Sequence, residues 1–90
     1  MTFEQLANQL IEIQKRKNAD YGSSFDQTLD EFGLVASATR MSDKFNRFKT
    51  LIRCGSTARV EDEKIEDTLL DLAAYAIMTA SWIKRRQNGI

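Results

Sequence analysis

The stretch that decides the fold is residues 65–83, with the sequence IEDTLLDLAAYAIMTASWI. Its apolar side chains recur every three or four residues, which is the spacing of a helix. One line of them keeps a seven-residue rhythm and consists of Ile65, Leu69, Leu72, Ala76, Thr79 and Ile83. A second line runs beside it and consists of Leu70, Ala73, Ile77 and Ala80. Short helices of the same chain cannot cover two such faces, so the pattern predicts a long C-terminal helix in a homo-oligomer.

The composition limits both the fold and the chemistry. A chain of 90 residues is expected to form a single helical domain, 1–90, and the absence of proline favours long helices and an all-α fold. Because the formal net charge is zero, we expect neither a duplex-DNA interface nor membrane binding. The single cysteine and an N-terminus without an export pattern predict a cytoplasmic location. The chain has no histidine, so any chemistry must use carboxylates, lysine, tyrosine or water.

The rest of the chain predicts two main helices and a short helical elbow before the C-terminal helix. Thr2 and Gln5 form a capping-box pattern at the start of a first helix over about 3–17. The elbow begins near Ser24 and ends at Gly33, which is expected to take a left-handed conformation. A second helix is predicted over about 34–53, and the C-terminal helix from 61 or 62 to about 87. The apolar stripe of the second helix consists of Leu34, Ala38, Met41, Phe45, Phe48 and Ile52.

Residues 17–25, with the sequence KNADYGSSF, are predicted to form a shaped loop after the first helix. Asp20 and Gly22 are typical turn residues, and loops of this kind often carry function. Tyr21 or Phe25 would either stack on a nucleotide base or cover the small core.

Charged residues interrupt the apolar surroundings of the two long helices. Glu63, Asp67 and Asp71 are spaced four apart and form an acidic ridge, which could hold Mg²⁺. The second helix presents charges at a similar spacing, namely Arg40, Asp43, Lys44 and Arg47. The two sets would then form an ion-pair network, a metal site or a mixture of both. Asp71 requires a partner in every case because it lies in the most apolar part of its helix.

The same cations offer a second interpretation, in which they converge on a phosphate group. Arginine supplies a forked set of donors and lysine a point charge. The candidate ligand-binding residues are Lys17, Asp20, Tyr21, Phe25, Arg40, Lys44 and Arg47. By contrast, residues 84–86, Lys-Arg-Arg, are typical of a solvated helix end whose charge complements the helix dipole.

Several of these motifs together resemble a known family. They are residues 17–22 with Ser24 and Phe25, residues 32–34, Arg40 with Asp43, Lys44 and Arg47, Glu63 with Asp67 and Thr68, and residues 71–78. This set resembles the phage and prophage nucleotide modification associated domain family, from the first helix to Met78. The resemblance implies a role in nucleotide metabolism or base modification and implies no particular reaction. It also implies that a phage-encoded chain would act in the host cell cytoplasm.

The acid-rich C-terminal helix is also similar to that of the all-α nucleotide pyrophosphohydrolases, which hold Mg²⁺ with acidic pairs on neighbouring helices. The chain departs from that pattern in two places. The first helix offers Glu12 alone in its middle, and the second surrounds Asp43 with three cations.

Three functional hypotheses follow. The first is a protein that binds a phosphorylated nucleotide, linear or a cyclic signal of bacterial antiviral defence, without turning it over. The second is a Mg²⁺-dependent nucleotide hydrolase that uses Glu63, Asp67, Asp71 and Asp43. The third is a helical interaction module without a small ligand.

Overall fold

The computed structural model describes residues 1–21, 24–54 and 59–88, with the side chains of 19–21, 54, 59–64 and 88 left undescribed. These residues form four helices, α1 (Phe3–Tyr21), α2 (Ser24–Phe32), α3 (Leu34–Cys54) and α4 (Arg59–Asn88). The described part of the chain contains no strand. The all-α prediction, with three main helices, an elbow and a long C-terminal helix, is therefore confirmed.

Helix α1 continues one turn further than predicted. The loop prediction is wrong for residues 17–21, which are helical, and the assignment of Asp20 as a turn residue is wrong with it. Asn18 and Asp20 are weak helix formers, but no residue from Asn18 to Tyr21 lacks a backbone N–H or requires a positive φ, so the helix can continue past Lys17. Helix α4 likewise begins at Arg59, slightly before the predicted 61 or 62. The prediction of Gly22 as a turn residue lies outside the described residues.

Local hydrogen bonds define the helix ends that the sequence predicted. At the start of α1, the Thr2 N–H donates to Gln5 Oε1 at 2.8 Å and the Gln5 N–H donates to Thr2 Oγ1 at 3.1 Å. This is the reciprocal capping box. At the end of α2, Gly33 has a φ of 75° and its N–H donates to the Leu29 carbonyl at 2.7 Å. The elbow therefore turns on a left-handed glycine, as predicted.

Replacing Gly33 with alanine is expected to lower the free energy of unfolding by about 1 to 2 kcal/mol, the cost of a left-handed conformation for a residue with a Cβ. A Cβ at this position would meet nothing within 4 Å, so backbone strain is the whole effect. Urea unfolding followed by Trp82 fluorescence measures it. Gly33→Asn is the control, because asparagine tolerates this conformation and should cost less. Equal stability of Gly33→Ala and the wild type would contradict the prediction.

Helix α4 is the central element and contacts each of the others. Ser37 Oγ lies 2.6 Å from Thr79 Oγ1, and Lys44 lies 3.2 Å from Asp71, so α3 and α4 run antiparallel as a hairpin. Helix α1 reaches α4 through Gln14, whose Nε2 donates to the Met78 sulfur at 3.0 Å. None of the helices, over their described residues, has an apolar stretch of the kind that crosses a bilayer.

The apolar core within one chain is small. Among the described residues, the buried apolar side chains are Leu29 and Trp82. Trp82 Nε1 also donates to Asp30 Oδ1 at 2.9 Å, which ties α2 to α4. Part of the apolar stripe predicted for α3 stays uncovered, because α4 packs on the adjacent line that contains Ser37 and Lys44.

Candidate functional site

A cleft of about 410 Å³ runs along one side of α4 and is the candidate functional site. Helix α1 and the start of α2 supply its other walls, and Lys44 reaches it from α3. Its floor on α4 includes Ala74, Ile77 and Met78. The cleft therefore combines an apolar floor with charged side chains from all four helices.

An ion-paired cluster stands at one end of the cleft. Lys17 Nζ lies 3.4 Å from Asp71 Oδ1, and Lys44 Nζ lies 3.2 Å from Asp71 Oδ2. Each carboxylate oxygen thus faces one ammonium group, which satisfies the need of Asp71 for a partner in an apolar helix. The side chains of Lys44 and Asp71 are 31% and 35% exposed, so solvent reaches them. Within these contacts, two ammonium groups share the carboxylate of Asp71.

Two aromatic rings stand beside this cluster. The rings of Phe25 and Tyr75 lie 5.1 Å apart with an interplanar angle of 65°, an edge-to-face arrangement. Both residues line the cleft. Tyr75 follows Asp71 by four residues, so the ring and the carboxylate lie on the same side of α4 about 6 Å apart along its axis. Tyr75 was not among the predicted site residues, although its spacing from Asp71 was a usable signal.

Arg85 lies at the other end of the cleft. Its Nη2 is 2.9 Å from Asp26 Oδ2, and its Nη1 donates to Ser81 Oγ at 2.8 Å. These two contacts hold the guanidinium against the cleft wall. Arg86 instead lies over the Trp82 ring, 4.7 Å from its centroid. Both arginines were predicted to belong to a solvated helix end, and the role of Arg85 as a lining residue was not predicted.

The structure brings together some of the predicted ligand-binding residues. Lys17, Phe25 and Lys44 line the cleft. Arg40 and Arg47 are exposed and do not line the cleft. The side chains of Asp20 and Tyr21 lie outside the described part of the chain.

The predicted acidic ridge is only partly described. Asp67 and Asp71 both line a second cavity of about 260 Å³ between α1 and α4, together with Lys17. The Glu63 side chain lies outside the described residues. Among the side chains that are described, no three acidic or cysteine groups come together in a geometry that could hold a metal ion. The proposed magnesium set therefore depends on where the Glu63 carboxylate lies.

The fold and the cleft define a small all-α protein with a ligand-sized groove that carries lysines at one end and an arginine at the other. The chain belongs to the nucleotide modification associated domain 1 family, whose model matches residues 17–83. The match begins at Lys17 and includes α2, α3 and most of α4, so it contains the residues that line the cleft except Gln14 and Arg85. No curated protein and no solved structure matches the chain.

Proposed function

We propose that the protein binds a phosphorylated nucleotide in the cleft and holds it without cleaving it. The observation that carries this proposal is the ion-paired cluster, where two lysine ammonium groups share the single carboxylate of Asp71. An anionic group that enters here gains two cationic partners. Lysine ammonium groups are well suited to phosphate because they act as point charges with rotatable donors.

The neighbouring rings give the other half of a nucleotide a place to bind. Phe25 and Tyr75 offer aromatic surface to a base, and such contacts contribute about 1 to 3 kcal/mol per base in proteins that bind single strands. The separation of about 6 Å between Asp71 and Tyr75 along α4 is one that a sugar can span between phosphate and base. The cleft volume of about 410 Å³ also lies within the usual range for small-molecule sites.

The family assignment supports a ligand from nucleotide metabolism. In a phage-encoded chain, capture without turnover would withdraw a nucleotide from the host cytoplasm. A cyclic signalling nucleotide would make this an anti-defence function, and a linear nucleotide would make it part of phage nucleotide metabolism. The resemblance to phage proteins motivates this part of the proposal.

A second candidate function is a Mg²⁺-dependent nucleotide pyrophosphohydrolase. It is favoured by one observation, that Asp67 and Asp71 line the same small cavity. Together with Glu63 they would hold Mg²⁺, which prefers oxygen ligands, and the metal would supply an activated water. This candidate ranks second because Asp71 is already paired with two ammonium groups, and a metal ion would have to displace them.

Calorimetry with a nucleotide panel tests both candidates. The panel contains linear mono-, di- and triphosphates, cyclic mono- and dinucleotides and inorganic phosphate, each with and without Mg²⁺. We expect saturable heat for one class of nucleotide without Mg²⁺, and recovery of that nucleotide intact after heat denaturation and chromatography. A cleaved product that forms only with Mg²⁺ would establish the hydrolase instead. Absence of heat and of product across the panel would contradict both candidates and leave the helical interaction module.

A further inference from the structure

The α3–α4 hairpin carries an uncovered apolar surface, here called the hairpin face. On α3 it consists of Leu34, Phe45 and Ile52, which are 51%, 49% and 55% exposed. On α4 it consists of Leu69, which is 39% exposed, and of Ala76 and Ala80, which are also exposed. Single exposed apolar residues are ordinary, but a continuous apolar surface marks a binding surface.

Helical geometry puts these residues on one face, opposite the cleft. Helix α3 faces α4 with the line through Ser37 and Lys44, and its part of the hairpin face lies about 70° to 90° to one side of that line. On α4 the facing line runs between Asp71 and Thr79, and the alanines and Leu69 lie about 100° to 140° from it in the same rotational sense. When two helices run antiparallel, side chains that are rotated in the same sense from the facing line lie on the same face of the pair. The cleft residues of α4 lie in the opposite sense, except Asp71 and Tyr75, which lie close to the facing line.

We propose that a second copy of the chain covers the hairpin face and forms a two-fold dimer. The face is complementary to itself, since α3 supplies the bulky side chains and α4 supplies a groove lined by Ala76 and Ala80. With a two-fold axis parallel to the hairpin, α3 of each copy packs on α4 of the other copy. The bulky side chains of each α3 then pack into the alanine groove of the partner's α4.

Charges at the edge of the face fit the same arrangement. The contacts of residue 37 with 79 and of 44 with 71 put Lys49 of α3 level with Glu66 of α4. Both side chains are exposed on the outer edges of the face. Rotation about this two-fold axis does not change a residue's position along the helix axes. Lys49 of each copy therefore lies beside Glu66 of the other copy, which gives two such pairs in the dimer.

The estimated size of the face reaches the lower limit for a specific dimer interface. From Leu34 to Ile52 it is about 27 Å long, and two packed helices are about 20 Å wide. This gives about 500 Å² per copy, and a total near the lower limit of about 1,000 Å² for specific interfaces. The small core within one chain explains why additional burial is needed. Because the cleft lies on the other side of the hairpin, dimer formation and nucleotide binding are tested independently.

Sedimentation analysis of the wild type between about 1 and 100 µM is the first test. We expect a mass of twice the 10.3 kDa of one chain. Phe45→Glu and Ala76→Arg are expected to yield monomers that keep their helical circular dichroism. Ile11→Glu is the matched control, because Ile11 is 50% exposed on α1, away from the hairpin face, and its replacement should leave the dimer intact. If Phe45→Glu fails to fold, Ala76→Arg decides, since it removes no large side chain.

A charge swap tests the two-fold arrangement itself. Lys49→Glu and Glu66→Lys should each weaken the dimer by at least about tenfold, since each creates two like-charge pairs. The double variant restores the opposite charges and should recover most of the affinity. A monomeric wild type at 100 µM, an unchanged mass for Phe45→Glu and Ala76→Arg, or a double variant no tighter than the single ones would overturn the proposal.

Discussion

Replacing Lys17 and Lys44 together with methionine is expected to weaken nucleotide binding by at least about 100-fold. Each ammonium group can make a charge-assisted contact with a phosphate, worth about 1.5 to 3 kcal/mol, and every 1.4 kcal/mol is a factor of ten in affinity. Methionine keeps most of the apolar stem and removes only the charge. The double variant also leaves Asp71 without its two cationic partners, so its carboxylate would repel the phosphate directly. Each single variant should lose about tenfold.

Calorimetry with the nucleotide identified from the panel measures this loss, and the chain supplies matched controls. Lys15→Met removes an ammonium group two residues before Lys17, where the side chain is 71% exposed and lies 3.8 Å from Glu12 outside the cleft. Arg40→Met and Arg47→Met remove cations that precede and follow Lys44 in the sequence of α3 and that do not line the cleft. All three should bind the nucleotide nearly as well as the wild type. If they weaken binding as much as the lysine substitutions, the positive surface as a whole binds the ligand and the cleft is not the site.

The largest effect on stability is expected for Leu29→Ala. Leu29 is 0% exposed and is the largest fully buried side chain of the described residues. Truncating a buried leucine to alanine costs about 3 to 5 kcal/mol, because the lost contacts leave a cavity that the surroundings fill only in part. Native domains are stable by only about 5 to 15 kcal/mol, so the loss is a large share of the total.

Urea denaturation, followed by Trp82 fluorescence and by helical circular dichroism, measures this cost. Ile11→Ala is the control, because it removes an aliphatic side chain of the same size that is 50% exposed. It should cost less than about 1 kcal/mol, in line with surface substitutions. Similar losses for the two variants would mean that Leu29 does not anchor α2, and that Trp82 and the Asp26–Arg85 ion pair hold this helix alone.

The features predicted correctly from the sequence depend on neighbours along the chain. The capping box of Thr2 and Gln5 and the left-handed Gly33 involve groups within a few residues of each other, so their patterns are visible before folding. The prediction for the end of α1 was wrong because no local pattern marks it. Its last residues have no strong local preference, and the sequence before Gly22 does not say where the helix stops.

The candidate site could be predicted only in part. Lys17, Lys44 and Asp71 were all candidates, yet they belong to three different helices, and the sequence left Asp71 open to an ion-pair network, a metal site or a mixture of both. The aromatic partner of Phe25 proved to be Tyr75, and Arg85 became a lining residue because α2 brings Asp26 to it. Such pairings depend on how the helices are rotated about their axes relative to one another. The spacing of apolar residues along each helix does not determine that rotation.

The sequence by itself determined an all-α chain with an apolar C-terminal helix at its centre, its capping box, its glycine elbow and its membership of a nucleotide-associated family. Periodicity and capping are short-range properties, because they involve residues that are three or four positions apart in the sequence. The tertiary structure alone decided which line of α3 faces α4, and therefore that Lys44 rather than Arg40 or Arg47 meets Asp71. The reason is physical, since several lines on α3 are apolar enough to pack and only the contacts of the folded chain select one of them.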